Sequence, residues 1–377
     1  MIRLAAVLPA GVLASLAAVS QASAGAPPVA AAAYVIEDAA TGQVLDAQNA
    51  HEHLPIASIT KLMTVLVVLE HRSLTDMVTV DPRAAGVGEE SIFLEAGQTI
   101  SVGDLVKGAL IQSGNDAADA LALSLAPSFA AFAQLMNAKA AELGLADTHF
   151  VRPDGLDAPG EYSSAADATT LGRAAMRIRA IRDTVGKRVD TLADGSVVHT
   201  WDDLLGVFPN LLGVKTGHTG KAGWCQVAAA RGRGVTVYAT ILGSPGRTAR
   251  NEGLETLLAW GLAQFRVVEP VDPARVTAQA GLPFGLRPLG LRPARRLLTV
   301  ARVGRPLTER VTAVSVASLP VRAGTVLGRV EVWDGKRLVG RRDLVADRTV
   351  MRPGTLRRVR WYAARAAHHL THFFSSL

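Results

Sequence analysis

The rhythm of hydrophobic and polar positions changes several times along this chain, and each change predicts an element. Residues 33–50, AYVIEDAATGQVLDAQNA, hold two short β-prone runs on either side of the turn-forming stretch DAATG, the pattern of a hairpin. Residues 57–72, ASITKLMTVLVVLEHR, pass from amphipathic to apolar, as a helix does when it runs into a core. From 100 to 183 the chain is rich in Ala and Leu at helical spacing, notably in VGDLVKGALIQSGNDAADALALSLA and FAAFAQLMNAKAAELG. Between 210 and 245, VAAARGRGVTVYATILG reads as two strands about a Gly-Arg-Gly turn. The order of hairpin, helices and hairpin predicts an α/β domain over 25–267 whose first and last strands share a sheet.

Near 266 the composition turns to Pro and Gly. Beyond it LLTVARV, VTAVSVA and VLGRVEVWDGKRLVGRRDLV alternate as short strands, with Asp334-Gly335 a strong hairpin signal. A small all-β domain over 268–350 is predicted. In the last segment, 351–377, Leu356, Val359, Ala363, Ala366, Leu370, Phe373 and Leu377 recur at intervals of three and four, while Arg358, Arg365 and His372 fall toward the other side. That spacing predicts an amphipathic helix, too polar to span a bilayer but suited to lying in its interface. Trp361, Tyr362, Phe373 and Phe374 add rings fit for the headgroup region.

A chain of 377 residues that is 49% hydrophobic is neither disordered nor fibrous, and it is long enough for two or three domains. Residues 1–24 carry Arg3, an apolar stretch and the small triplet Ala22, Ser23, Ala24, the pattern of a secretory signal peptide cleaved after Ala24. The mature protein is therefore expected across the cytoplasmic membrane, at its outer face and the cell wall. No cysteine closely follows the apolar stretch, which speaks against a lipoprotein anchor. The single cysteine, Cys225, excludes an internal disulfide and is expected to be a small buried residue in WCQVAAA. The net charge of +7 is uneven: residues 352–377 contain five arginines and no acid. On charge alone this suits nucleic acid or an anionic membrane; export selects the membrane.

Three short stretches carry candidate chemistry. In ASITKLMT, Ser58 and Lys61 stand three apart, so the amine reaches the hydroxyl on one helix face, as a base reaches a nucleophile. Taken alone, Ser58 could equally cap the helix with Lys61 solvated in its first turn. LIQSGNDAADAL supplies Ser113 and Asn115, and GVKTGHTGKAGW supplies Lys215, Thr216, Gly217, His218 and Thr219. Each is common by itself. Together, in this order and behind an export signal, they form the set S-x-x-K, S-x-N, K-T-G.

That set, with PIASITKLMT, SGNDAA, FVRPDGLDAPGEYSSAAD and GVKTGHTGKAGW, resembles the serine D-alanyl-D-alanine carboxypeptidases, the low-molecular-mass penicillin-binding proteins of the peptidase S11 family. The resemblance runs from about 34 to 265, and PVRAGTVLGRVEVWDG resembles the family's second domain. It implies a β-lactamase/transpeptidase-like α/β domain, an antiparallel sheet with helices, followed by the small β domain and a membrane-anchoring tail. It also implies a serine-type enzyme that removes the terminal D-alanine from peptidoglycan pentapeptides through an acyl-enzyme and is acylated by β-lactams. On this reading Ser58 is the nucleophile, Lys61 its base, made neutral by burial facing the second cation Lys215, and Ser113 the relay to the leaving amine. Asn115 would bind the substrate backbone, Lys215 and Thr216 its carboxylate, and Gly217 would leave room for strand-like pairing, with His218 and Thr219 beside it. The backbone N–H groups of Ser58 and His218 would form the oxyanion hole.

The resemblance is incomplete at Tyr162, where relatives usually have His, at Arg152, where they tend to have Asn, and at 199–205, HTWDDLL, where they tend to have an Asn-rich or Arg-bearing stretch. These changes tune the pocket for a different peptide stem or are neutral. His368, His369 and His372 lack the pattern of a metal site, Glu161 lacks the surroundings of a β-lactamase glutamate, and no cofactor or nucleic acid is implied. The alternatives left open are a DD-endopeptidase, a β-lactamase, and a catalytically weak wall-binding or β-lactam-sensing protein.

Overall fold

A computed structural model describes residues 25–374 together with Leu13–Ala14, with side chains given to Ala364. The predicted leader is thus otherwise outside the described residues, as are the side chains of His368, His369, Leu370, His372, Phe373, Phe374 and Leu377. The chain divides into two compact units, Ala24–Phe265 and Arg266–Leu377.

The first unit is built on a five-stranded antiparallel sheet. Its strands are β1 (Ala33–Asp38), β2 (Gln43–Gln48), β3 (Leu211–Thr219), β4 (Gly223–Gly232) and β5 (Val235–Ser244), in the spatial order β2-β1-β5-β4-β3. The expected sharing of one sheet by the first and last strands is present: Val35 lies opposite Thr240 and Tyr34 opposite Ile241. Strand alternation then assigns the two faces. Thr240 hydrogen-bonds Thr169 on one side, while on the other Ile241 lies under the helix that carries Gly253.

Five helices of this unit carry the motif residues or pack beside them: α1 (Lys61–Leu69), α2 (Val102–Lys107), α3 (Asn115–Leu123), α4 (Phe129–Leu143) and α5 (Ala165–Ala175). The run KLMTVLVVL is apolar nearly all round, so α1 is buried along almost its whole length, with α3, α4 and α5 packed about it. The helix expected from residue 57 begins otherwise. Residues 57–60 form a single 3₁₀ turn without a side-chain cap, entered through Ala57 in the left-handed region at φ 49°. At the other motif, α2 loosens into a π turn, Gly108–Gln112, and Ser113 takes a left-handed φ of 65° before α3 begins. Non-glycine residues in this region are strained by about 1–3 kcal/mol each, and such strain collects at functional sites. Cys225 is buried on β4, and burial pushes its thiol up to about 11, so it is neither charged nor accessible.

In the second unit an antiparallel ladder runs β7-β8-β9-β6, from β6 (Leu289–Pro293), β7 (Thr308–Ala313), β8 (Val326–Asp334) and β9 (Arg337–Ala346). Asp334-Gly335 closes the β8-β9 hairpin as its sequence predicts, with Gly335 at φ 58°. Val330, Val332, Leu289, Leu291 and Leu344 form its core. A last helix, Thr355–Phe374, follows, and the rings of Trp361 and Tyr362 stand edge-on to Phe284. Leu356, Val359 and Tyr362 on this helix are exposed. Charge separates sharply between the units: 21 basic and 7 acidic residues lie from Arg266 onward, against 18 and 26 over 24–265.

One glycine fixes the loop 150–162 against the nucleophile turn. Gly155 has φ 78°, and a Cβ there would lie 2.2 Å from the carbonyl oxygen of Ala57. No side chain fits without moving backbone on one side or the other. Gly155→Ala is expected to lower stability by about 1–3 kcal/mol and to slow any reaction at Ser58. An unchanged melting temperature would show that the loop does not bear on the turn.

Candidate active site

The three motifs converge from three separate elements: the 3₁₀ turn and α1, the α2–α3 junction, and the edge strand β3. In a 3₁₀ turn residues i and i+3 eclipse, so Ser58 and Lys61 project to the same side. The Lys61 Nζ donates to Ser58 Oγ at 2.7 Å, to Asn115 Oδ1 at 2.7 Å and to the backbone oxygen of Asp154 at 2.7 Å. Three acceptors around an amine with no exposure saturate its donors. Desolvation lowers the pKa of Lys61 to about 8, against the raising influence of Asp154, Asp119, Glu90 and Asp116. Of the two causes expected from the sequence, burial and the second cation Lys215, burial is the chief one.

Lys215, expected at the substrate carboxylate, is buried beside the Ser113 hydroxyl. It is 3% exposed and donates to Ser113 Oγ at 2.8 Å and to the carbonyl of Thr216 at 2.9 Å. Burial first, and the Lys61 charge second, push its pKa well below the usual lysine value. Asn115, expected to bind the substrate backbone, is engaged at both ends of its amide: Oδ1 accepts from Lys61 and Nδ2 donates one of its two N–H groups to Gly88 O at 2.9 Å. Thr219 is tied to Asp157 at 2.7 Å and accepts from the Ala222 N–H, so it holds a loop. Gly217 faces the nucleophile turn so closely that a Cβ would lie 2.7 Å from Ile56 O and 3.1 Å from Ser58 N. His218 is exposed, its ring against Trp224 at 4.2 Å.

A cleft of about 150 Å³ opens at Ser58. Ser113, Thr216, Gly217 and His218 line it, together with Trp224 at the end of GVKTGHTGKAGW and with Glu89, Glu90, Trp201 and Arg250, which lie outside the three motif stretches. Arg250 is the most deeply buried of these, with its guanidinium over the Trp224 ring at 5.5 Å and donating to Asp203 at 3.1 Å and to Asn251. No short motif could have found it, because it comes from the helix Arg247–Ala263, far along the chain from the serine. Burial raises the pKa of Glu90, whose carboxyl meets the Trp201 indole.

Behind Lys61 lies a charged layer. Arg152 pairs with the fully buried carboxylate of Asp154, the residue whose carbonyl holds the amine. Glu161, pushed up to about 7 by burial, accepts from Thr60 Oγ1 at 3.1 Å and from the Arg152 N–H at 3.1 Å, which spends it on the loop. Asp116 anchors the opposite wall by accepting from Ser91 Oγ at 2.6 Å and from the N–H groups of Ile92 and Leu94. Tyr162 stacks on His53 at 4.2 Å.

A serine hydrogen-bonded to a buried lysine, on an antiparallel sheet with helices and a cleft walled by an edge strand, defines a serine-type acyl-transfer enzyme. The sequence profile of the peptidase S11 family, D-alanyl-D-alanine carboxypeptidase, matches residues 20–246, and the chain belongs to that family. It is 34% identical over 362 residues to the D-alanyl-D-alanine carboxypeptidase DacC of Escherichia coli, covering 89% of this chain and 88% of that one. A Bacillus subtilis relative, the D-alanyl-D-alanine carboxypeptidase DacF, is 35% identical over 60% of each chain. Among solved structures, penicillin binding protein 6B from Escherichia coli matches with a TM-score of 0.64 at 30% identity, over 86% of this chain and 98% of that one.

Breaking the layer behind the lysine has a defined cost. Arg152→Ala leaves the Asp154 carboxylate buried without its cation, and a loss of about 2 kcal/mol or more is expected, given that Arg152 is partly exposed. A thermal or denaturant melt reads it directly; no loss would mean that Asp154 is held by its backbone contacts alone.

Proposed function

We propose that this protein is a serine D-Ala-D-Ala carboxypeptidase that trims the terminal D-alanine from peptidoglycan pentapeptide stems and is acylated by β-lactams. The observation that carries the reading is the 2.7 Å bond from a wholly buried Lys61 amine to Ser58 Oγ. A lysine whose pKa falls to about 8 is neutral in a useful fraction near neutrality, and only the neutral amine can take the serine proton.

Ser58 Oγ attacks the carbonyl between the two D-alanines while its proton passes to Lys61. The oxyanion is received by the N–H groups of Ser58 and His218, a contribution of about 3–4 kcal/mol per donor. Collapse breaks the C–N bond, and Ser113, held by Lys215, relays to the departing amine of free D-alanine the proton that Lys61 took, so that Lys61 is neutral again and Ser113 keeps a proton. Water then hydrolyses the ester, returning Ser58. The close fit of Gly217 against the nucleophile turn supports strand-like docking of an extended peptide along β3. Thr216 and Arg250 line the cleft and suit the substrate carboxylate, with Lys215 acting through Ser113 rather than by direct contact.

The protein is further read as exported and held at the outer face of the cytoplasmic membrane. Among the described residues no helix is long and apolar enough to cross a membrane. The last helix instead has arginines on one side and Leu356, Val359 and Tyr362 exposed, in a unit with a large excess of basic residues. Each arginine near an anionic surface adds about 1 kcal/mol.

Two experiments test these readings. Incubation with a synthetic pentapeptide ending in D-Ala-D-Ala should release one alanine by mass, and Ser58→Ala should abolish both that release and covalent labelling by a fluorescent penicillin. Labelling that survives the substitution removes Ser58 as nucleophile. For the tail, a chain ending at Val350 should be soluble and fully active on small peptides, whereas the mature chain should sediment with anionic liposomes and be released only in part by high salt. Both remaining in the supernatant at low salt would contradict the anchor.

A further inference from the structure

Asp119 has no part in the acyl transfer, yet it is one of the most unusual groups in the protein. It lies on α3, one helical turn beyond Asn115 and on the same face, which is turned toward α1 and the lysine that Asn115 holds. Its side chain is completely buried, and neither carboxyl oxygen has a hydrogen-bond partner among the described residues. A carboxylate so placed would be an uncompensated buried charge. The groups facing it are Lys61 from α1, Asp154 and Arg152 from the loop 150–162, and Asp116 from its own helix. The two acids next to it are already supplied with donors, Asp154 by Arg152 and the Leu156 N–H, Asp116 by Ser91 and the turn above it. Asp119 alone is left without any.

We propose that Asp119 is a positioning residue acting through Lys61, its carboxyl kept uncharged behind the lysine so that the lysine is free to give up its ammonium form. Desolvation, then the neighbouring Asp154 charge, push the Asp119 pKa up to about 8, against the pull of Arg152 and Lys61. The two titrations therefore overlap. When Asp119 ionises, its negative charge draws Lys61 back toward the ammonium, and Glu90, Asp116 and Asp154 pull the same way while Lys215 opposes them. The pH at which the lysine becomes a base is in this way set partly by a carboxyl that never touches substrate.

This inference rests on the reading of Lys61 as the base for Ser58, and the test separates the two. The rate of acylation by a fluorescent penicillin is measured against pH for the wild type and for Asp119→Asn, which keeps the shape and removes the charge. The acid limb of the asparagine variant should move to lower pH by about half a unit or more, about a threefold gain in rate on that limb. Superimposed limbs, or a move to higher pH, overturn the proposal. Should the asparagine variant not fold, Asp119→Leu asks the same question. The wild type also carries its own readout: a protonated-carboxyl band in the infrared spectrum at neutral pH, present in the wild type, missing from Asp119→Asn and lost as the pH rises through about 8, is expected, and the lack of any such band in the difference between the two overturns the proposal. If the wild type is not acylated at all, the enzymatic reading fails, while the infrared band still decides the state of Asp119.

Discussion

An ammonium removed from water must find acceptors or lose its proton, and much of the first unit is arranged around that constraint at Lys61. The amine is met by a serine from its own turn, an amide from α3 and a carbonyl from the loop 150–162. Each of these has to be delivered by a different part of the chain, and each delivery is itself anchored. The 3₁₀ turn brings Ser58 to the side of Lys61; the left-handed Ser113 ends the π turn so that α3 can start with Asn115; Arg152 and Gly155 seat the loop that carries Asp154. Burial that would otherwise be a liability becomes the source of basicity. The amine is close to giving up its proton because water is absent, while its contacts remain those of a donor.

The sequence revealed what is local and hid what is not. Ser58 and Lys61 could be paired from their spacing because one turn of either helix type puts i and i+3 together. The hairpins at 33–50 and 326–346 followed from alternation and their turn residues, and the shared sheet followed from the order of elements. Arg250 and Glu90 were not legible, since they reach the cleft from distant segments with no periodicity that points to it, whereas Trp201 and Asp154 lie in stretches that the resemblance marked without giving either residue a role. Lys215 was legible as a participant but not as a buried one. A K-T-G stretch on an edge strand gives no sign of which face its lysine takes until the neighbouring Ser113 is placed.

The two units differ in the physics that their surfaces offer. The first has an acidic excess and carries the cleft at Ser58; the second is strongly basic, closed around a small aliphatic core, and leads into a helix with exposed Leu356 and Val359. Steering by an anionic surface would act on the second unit and leave the first, with its peptide cleft, electrostatically unattracted. That division suits an enzyme held at a membrane whose substrate lies in the wall beyond it, the arrangement proposed for this chain.

The chemistry of the cleft depends on the protonation of one amine. Nitrogen NMR of side-chain-labelled lysines, with Lys61 assigned by its loss in Lys61→Met, measures that titration directly in the resting protein. The Lys61 resonance is expected to titrate at about 8, well below the usual lysine value. A Lys61 amine that stays charged until about pH 10 or above would contradict its role as the base.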